Sequence, residues 1–280
     1  MMPAEQSLRE GRVRDALAEL QAQVRKEPAN AKYRVFLFQL LAVLGQWERA
    51  LNQLNVLSEM DASSLPMAQT YREAIRCELV RADVFAGRRS PLVFGDPAPW
   101  VALLLEAVRL TAEGHAAQAQ RVRDQAFETA PATAGTLDGQ PFAWLADADP
   151  RLGPMLEAIV NGRYYWIPFQ RIRTIVLEQP ADLRDYVWMP ARFTWANGGE
   201  TVGLIPARYP GSEASADSLV QLGRKTEWLE GEADVCRGLG QRMLATDQGE
   251  YPVLDIRRIE LNVEESPVEN IVAEADGGDG

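Results

Sequence analysis

Few side chains in this sequence have a type and a spacing that suit catalysis or metal binding. His115 is the only histidine, and no Asp or Ser stands at a recognisable distance from it, so a catalytic triad or a histidine-based zinc site is not expected. Asp138, Asp147 and Asp149 are the carboxylates that best suggest a metal site. Asp149 precedes Pro150, however, which favours a helix cap. We therefore expect no catalytic, cofactor-binding or metal-binding residues.

Two further motifs match catalytic signatures only in part. Gly238-Leu239-Gly240 lacks the third glycine and the preceding strand that a dinucleotide-binding loop requires. Ser212 follows Pro210-Gly211, which is not the setting of a nucleophile elbow. Both segments are interpreted as turns. An enzyme in the C-terminal half stays open as an alternative, because that half is dense in aromatic, Asp and Arg residues.

The densest aromatic run is Tyr164-Tyr165-Trp166-Ile167-Pro168-Phe169. Aromatic side chains dominate both protein cores and interface hot spots, so core packing is favoured here and a partner contact stays open. Arginines interleave with the aromatic residues of this region, as they do in some RNA-binding proteins. Nearby Asp and Glu residues favour local ion pairs instead. These arginines are Arg163, Arg171, Arg173, Arg184, Arg192 and Arg208.

Charge and composition limit which classes of partner and which cellular compartment we expect. The chain has 280 residues and a net charge of -11, which argues against a nucleic-acid partner and makes basic partner surfaces more plausible. Six of its acids and no Lys or Arg lie between Asn262 and Gly280, a composition typical of a disordered tail. The two cysteines form no disulfide or metal framework. With no signal-peptide pattern and no membrane-spanning run, we expect a cytoplasmic protein.

A repeat of 34 residues organises the N-terminal half. The series Gly11, Ala16, Leu17 and Pro28 returns as Gly45, Ala50, Leu51 and Ala62, and less cleanly from Gly114. This period and punctuation are typical of tetratricopeptide helix hairpins, whose stacking leaves a concave surface that holds a peptide. The small alanines mark where two helices come closest. Asn30 is predicted to cap a very apolar helix, and Pro66 to lie in the first turn of a long one.

The pattern changes after about Thr136. We predict a short helix over Leu152–Val160, followed by strands and by a hairpin turn at Asn197-Gly198-Gly199. The fold class is therefore α+β, a tetratricopeptide-like helical domain followed by a mixed α+β domain. The expected boundaries are 1–136, 137–261 and, for the acidic tail, 262–280. The predicted strands are Tyr164–Ile167, Ile172–Leu177, Tyr186–Met189, Phe193–Trp195, Thr201–Pro206, Met243–Ala245 and Val253–Ile259.

Several long segments resemble the ImpE family, also called SciE or TagJ, and they follow one another along nearly the whole chain except the acidic tail. The opening Leu8-Arg9-Glu10-Gly11 with Ala16-Leu17 is also similar. The matching segments are Phe142–Pro154, Asn161–Phe169, Asp182–Asp185, Arg208–Glu213 and Thr226–Trp228. The resemblance implies a non-enzymatic accessory component of bacterial type VI secretion. It also implies that the protein binds the N-terminal helix of the small sheath subunit (TssB/VipA-like) and is linked to the ClpV ATPase.

If the groove followed the tetratricopeptide consensus geometry, residues of the first helix of repeat two and of the later hairpin would line it. We therefore predict that the partner helix contacts these residues, since an amphipathic helix in a groove is a common recognition mode. An alternative is a scaffold whose aromatic residues form a homodimer. The predicted contact residues are Lys32, Val35, Gln39, Ala42, Val101, Leu104 and Val108.

Overall fold

The structure is a computed structural model that describes residues 3–231 and 236–264. Its N-terminal part is mainly helical, and one further short helix, α8 (Ser218–Gln221), lies among the strands. The predicted acidic tail lies outside the described residues from residue 265 onward. The N-terminal helices are α1 (Pro3–Arg9), α2 (Val13–Lys26), α3 (Ala31–Val43), α4 (Trp47–Met60), α5 (Leu65–Phe85), α6 (Pro99–Ala112) and α7 (Ala116–Thr129).

The repeat appears as helix hairpins that turn at glycine. Gly11, Gly45 and Gly114 stand between the paired helices with φ of 76°, 63° and 81°, a left-handed conformation that glycine adopts without strain. Ala16 and Ala50 are fully buried at the close approach of the helices, as predicted. Between these hairpins, α5 runs for 21 residues as a single helix. The repeat array is therefore irregular after α4, which the decay of the sequence pattern predicted.

Two predicted helix starts are confirmed in atomic detail. The side chain of Asn30 accepts a hydrogen bond of 3.1 Å from the backbone N–H of Lys32, and so caps α3. Helix α5 begins at Leu65 with Pro66 in its first turn, where a missing N–H costs nothing.

Most of the strands form one nine-stranded sheet in the order β1-β6-β5-β9-β8-β7-β14-β2-β3. Its pairs are antiparallel except β1 with β6, and β1 comes from the loop between α5 and α6. The helical part thus contributes a strand to the sheet edge. The nine are β1 (Leu92–Val93), β2 (Gly135–Leu137), β3 (Gln140–Phe142), β5 (Met155–Val160), β6 (Arg163–Pro168), β7 (Ile172–Leu177), β8 (Trp188–Trp195), β9 (Glu200–Pro206) and β14 (Arg258–Leu261).

Two smaller sheets complete the strand-rich part. One has three strands in the order β13-β12-β4, and the other is a ribbon of β10 and β11. The turn between β12 and β13 is made by Asp247 and Gln248. The strands are β4 (Leu145–Asp147), β10 (Thr226–Glu230), β11 (Cys236–Gly240), β12 (Met243–Thr246) and β13 (Gly249–Pro252).

The helix predicted over Leu152–Val160 is wrong. Residues from Met155 onward form β5, a strand buried along its whole length that pairs with β6 and β9. A continuous apolar run cannot distinguish a buried strand from a buried helix by period. Asn161-Gly162, directly after this segment, is the two-residue turn of the β5–β6 hairpin, with φ of 49° and 71°. Likewise, the strand predicted over Val253–Ile259 begins only at Arg258, and the runs 186–189 and 193–195 join in β8.

The nine-stranded sheet separates two apolar cores. On one face, Trp166 and Trp188 are completely buried in a core that also contains the helices. On the other face, Phe169 and Phe193 belong to a second core made by the strand-rich part alone. The core interpretation of the aromatic run is therefore confirmed for Tyr164, Trp166 and Phe169. None of the helices in the described residues has the length and apolar character needed to cross a bilayer.

Candidate partner-binding surfaces

Helices α4 and α5 pack against the chain's own strands. The ring of Trp188, at the start of β8, lies 5.9 Å from that of Trp47 on α4 and 5.7 Å from that of Tyr71 on α5. The Trp188 indole N–H also donates to Glu78 of α5 over 2.9 Å. Large aromatic surfaces contribute most to such contacts. We call this packed region, where the core of the helices continues into the sheet, the seam.

The seam removes most of the predicted contact surface. Five of the predicted contact residues are buried in the core, and only Lys32 is exposed while Val35 is half-buried. The physical reason is that these apolar helix faces are packed into the core that the helices share with one face of the sheet. A partner cannot touch the five without displacing this packing. They are Gln39, Ala42, Val101, Leu104 and Val108.

A buried cluster of charges joins α5 to the strands across the seam. The Arg81 guanidinium donates to both carboxylate oxygens of Glu157 on β5, over 2.6 and 3.0 Å. Arg242 bridges Glu157 and Asp147, and the Tyr164 hydroxyl donates to Glu157. Every carboxylate in this set therefore has a charged partner, the condition under which buried charges persist in a protein core.

The pKa values of two carboxyl groups in this cluster are shifted in opposite directions. Burial opposes the ionisation of Glu157, but the charges of Arg81 and Arg242 outweigh it and lower the pKa to about 2. Burial raises the pKa of Asp147 to about 6, because the single charge of Arg242 offsets it only in part and the Asp149 carboxylate opposes ionisation further. Perturbed carboxyl groups can mark catalytic sites, but this pair lies in a filled core and not in a cleft.

The cap predicted at Asp149 is wrong, since no helix follows it. The fully buried Asp149 carboxylate accepts the backbone N–H of Arg151 and binds its guanidinium through two bonds of 2.9 and 2.6 Å. It also accepts the N–H of Gly238 on β11 over 2.9 Å. Asp138 instead accepts the backbone N–H groups of Arg257 and Arg258. Among the described residues, no group of metal-ligating side chains is arranged to hold an ion.

Arg208 is a seam residue that the sequence reasoning missed. Its buried guanidinium donates to the carbonyl of Val43, the last residue of α3, over 2.8 Å, and to that of Gln221, the last residue of α8. Carbonyl groups at the end of a helix carry partial negative charge. Burial lowers the pKa of Arg208 to about 10, against the opposing charge of Glu213. The local ion pair expected for this arginine is thus replaced by helix-end carbonyls. The only feature of the sequence that singled out Arg208 was its position in the family-like segment Arg208–Glu213.

Beyond the end of the seam, the same elements leave an open cleft of about 790 Å³, which we call the α5 cleft. On β9, Leu204 is 8% exposed under the helices, whereas Val202, two residues away on the same face, is 70% exposed. The apolar sheet face therefore continues past its helical cover. The α5 cleft is lined by Pro66, Gln69, Thr70, Tyr71, Glu73, Ile159, Asn161, Gly162, Pro190, Val202, Gly203 and Leu204.

Helical repeats packed on a strand-rich region define an α+β protein of the tetratricopeptide-containing class. The tetratricopeptide-repeat family model matches residues 7–75, and the model of the ImpE protein matches residues 139–260. Type VI secretion system accessory component TagJ of Pseudomonas aeruginosa is 56% identical over 260 residues, which cover 93% of this chain and 91% of that protein. The chain belongs to the ImpE family.

A solved structure shares the whole architecture. The crystal structure of protein VPA1032 from Vibrio parahaemolyticus superposes with a TM-score of 0.84 at 25% sequence identity. The match covers 93% of this chain and 98% of that one. The order of helices before strands is therefore common to both proteins.

Proposed function

We propose that this chain is a non-enzymatic adaptor of type VI secretion that binds the N-terminal helix of the small sheath subunit (TssB/VipA-like). The observation that carries the proposal is its 56% identity, over 93% of its length, to a protein named as a type VI secretion accessory component. The tetratricopeptide-type helices support it, because such folds bind peptides and proteins.

The packing of the seam supports a binding surface for the partner helix away from the predicted contact residues. An amphipathic helix needs an apolar groove for its hydrophobic face, and the apolar faces of the repeats are buried in the chain's own core. The α5 cleft lies beside the repeats and has the volume of a binding cleft. Its floor includes the exposed Val202, and its α5 rim carries Glu73. We therefore propose the α5 cleft as the binding surface for the helix.

The charges around the α5 cleft indicate what the partner helix should carry. Glu73 is part of the lining, and Glu200 lies two residues before Val202 on the same face of β9. Arg192 pairs with Val202 on the neighbouring strand. Glu73 is already paired with Arg76. A helix with an apolar stripe for Val202, a basic residue for Glu200 and an acidic residue for Arg192 would therefore complement this surface.

Isothermal titration of the full chain with a synthetic peptide of the sheath subunit's N-terminal helix tests the proposal. The expected result is saturable binding of moderate affinity, since one helix face buries a small interface. A peptide of the same composition with its apolar positions scrambled should not bind. The absence of binding by the native peptide at high micromolar concentrations would contradict the proposal.

The link to the ClpV ATPase is the second part of the proposal. It rests on family membership alone, so it is tested separately by adding ClpV to the complex of this chain with the sheath peptide. Co-elution of all three supports an adaptor that joins sheath and ATPase. Displacement of the peptide by ClpV would contradict simultaneous binding and leave the sheath contact intact.

A further inference from the structure

Residues of two edge strands line one small cleft. It has a volume of about 260 Å³, and its lining includes Thr226 and Trp228 of β10 together with Glu250 and Pro252 of β13. We call it the edge cleft. The two strands belong to separate sheets, and each is the last strand of its sheet. Each strand therefore has one side without a partner strand.

The open side of β10 carries backbone groups without hydrogen-bond partners among the described residues. On β11, the N–H groups of Gly238 and Gly240 donate to side chains outside the ribbon, over 2.9 and 2.8 Å, so they point away from β10. In an antiparallel pair, two opposite residues either bond to each other or both point their backbone groups outward. Trp228 lies opposite Gly238 and Thr226 opposite Gly240, so the backbone groups of both β10 residues point outward.

The outer side of β13 is open in the same way. On β12, the carbonyl of Met243 accepts the N–H of Ala148 over 3.0 Å, so Met243 points away from β13. Ala245 lies two residues further along the same strand, points to the same side and pairs with Glu250. The N–H and C=O of Glu250 therefore point away from β12. Unpaired strand edges of this kind are templates for an additional strand.

Trp228 gives the edge cleft an exposed aromatic side chain. It is 36% exposed, although its ring lies 5.7 Å from that of the buried Tyr209. Met243 and Pro252, which lie opposite each other on β12 and β13, add apolar lining. Tryptophan is enriched among the residues that contribute most to binding energy at interfaces. An apolar side chain of an added strand would therefore pack on Trp228.

The charges of the lining indicate which side chain would accompany the apolar one. Lys225 is bonded to Asp217 and Glu227, and Arg224 donates to backbone carbonyls at the end of α1. The exposed Glu250 side chain, by contrast, has no hydrogen-bond or ion-pair partner among the described residues. A basic residue of the ligand would complement it.

We propose that the edge cleft binds an extended segment of a partner protein by strand addition, with an apolar side chain on Trp228 and a basic one at Glu250. An added single strand has two free sides, one for β10 and one for β13. The β10 strand of a second copy has only one, because β11 occupies the other. The edge cleft shares no lining residue with the α5 cleft, so this proposal and the sheath-helix proposal fail independently.

Fluorescence anisotropy with a short labelled peptide of alternating Val and Lys tests the proposal on the full chain. The control is the same peptide with every second amide N-methylated, which keeps the side chains and charges but removes the donors of one side. We expect it to bind about tenfold more weakly or worse, the scale of one or two lost hydrogen bonds. The parent peptide should also slow amide hydrogen exchange in Thr226–Glu230. Equal binding of the two peptides, or binding without slower exchange, would overturn the proposal.

Variants of the chain test the side-chain contacts. Trp144→Ala is the matched control for Trp228→Ala, because Trp144 is 39% exposed and lies outside the lining. We expect Trp228→Ala to weaken binding about tenfold or more and Trp144→Ala by less than about twofold. Glu250→Gln should weaken it about two- to fivefold, the scale of an exposed ion pair.

Two further results would overturn the proposal. Equal weakening by the two tryptophan variants would show that the peptide does not bind at β10. Light scattering that shows a dimer of the native chain, converted to a monomer by Trp228→Ala, would show that a second copy occupies the edge.

Discussion

The seam and the α5 cleft are built from the same helix and the same face of the same sheet, yet one is closed and the other open. In the seam, aromatic rings and the Arg81–Glu157 pair fill the space between α5 and the strands. In the α5 cleft, the apolar face of β9 continues to Val202 without cover. A repeat pattern therefore identifies a surface suited to binding but not what already covers that surface.

The largest expected effect comes from separating the two sides of the seam. A fragment of residues 1–136 would expose the apolar faces of α3 and α5, which the strands bury in the full chain. We expect it to self-associate and to unfold without a cooperative transition, because exposed apolar patches of this kind drive association. Light scattering and thermal unfolding, beside the full chain, provide the measurement. A monomeric, cooperatively folded fragment would show that the helical region is an independent domain.

Removing one charge from the seam should also lower stability strongly, but by less than separating its two sides does. Arg81→Met leaves the buried Glu157 with Arg242 as its remaining charged partner, and should lower the free energy of unfolding by about 3–5 kcal/mol. Arg76→Met, which removes an exposed ion pair from the same helix, should change it by less than about 0.5 kcal/mol. Urea unfolding measures both. Similar values for the two variants would show that the buried pair does not hold the seam.

The titration of Asp147 should contribute about 3 kcal/mol to the pH dependence of stability. Its pKa is raised to about 6 in the folded chain from an ordinary value of 3.8, so the folded state keeps the proton longer. Ionisation therefore favours the unfolded chain as the pH rises from about 4 to about 6. The stability of the native protein relative to Asp147→Asn should fall across this window. A difference that stays constant or grows in urea unfolding would contradict the raised pKa.

The smallest expected change in stability comes from the N-terminal cap of α3, which lies outside the seam. Asn30→Ala removes the side-chain cap of α3 and should cost about 1 kcal/mol. Asn30→Asp keeps the acceptor and serves as the control in thermal unfolding. Equal stability of the native protein and Asn30→Ala would mean that packing alone sets the start of this helix.

Local features of the fold could be predicted from sequence because their causes are local. The glycine turns, the Asn30 cap and the start of α5 each depend on a few neighbouring residues. By contrast, β5 was mistaken for a helix, since its pairing with β9 joins residues such as Ile159 and Leu204 that are far apart in the chain. Propensity is overridden in such cases by non-local packing.

The candidate surfaces were the least predictable part. The consensus groove placed Ala42 and Leu104 on a binding face, but both are completely buried in the core of the helices, which also includes residues from a distant part of the chain. Val202 gave no signal, since an apolar residue in a predicted strand is ordinarily buried. The seam role of Arg208 was accessible only through the family-like segment around it.

The central claim is that a sheath helix binds at the open α5 cleft and not on the concave face of the repeats. Isothermal titration of the sheath peptide with Val202→Glu and with Lys32→Glu tests it most directly, because both side chains are exposed and lie on the two competing surfaces. We predict that Val202→Glu weakens binding about tenfold or more and that Lys32→Glu changes it by less than about twofold. Loss of binding with Lys32→Glu and native affinity with Val202→Glu would contradict the account.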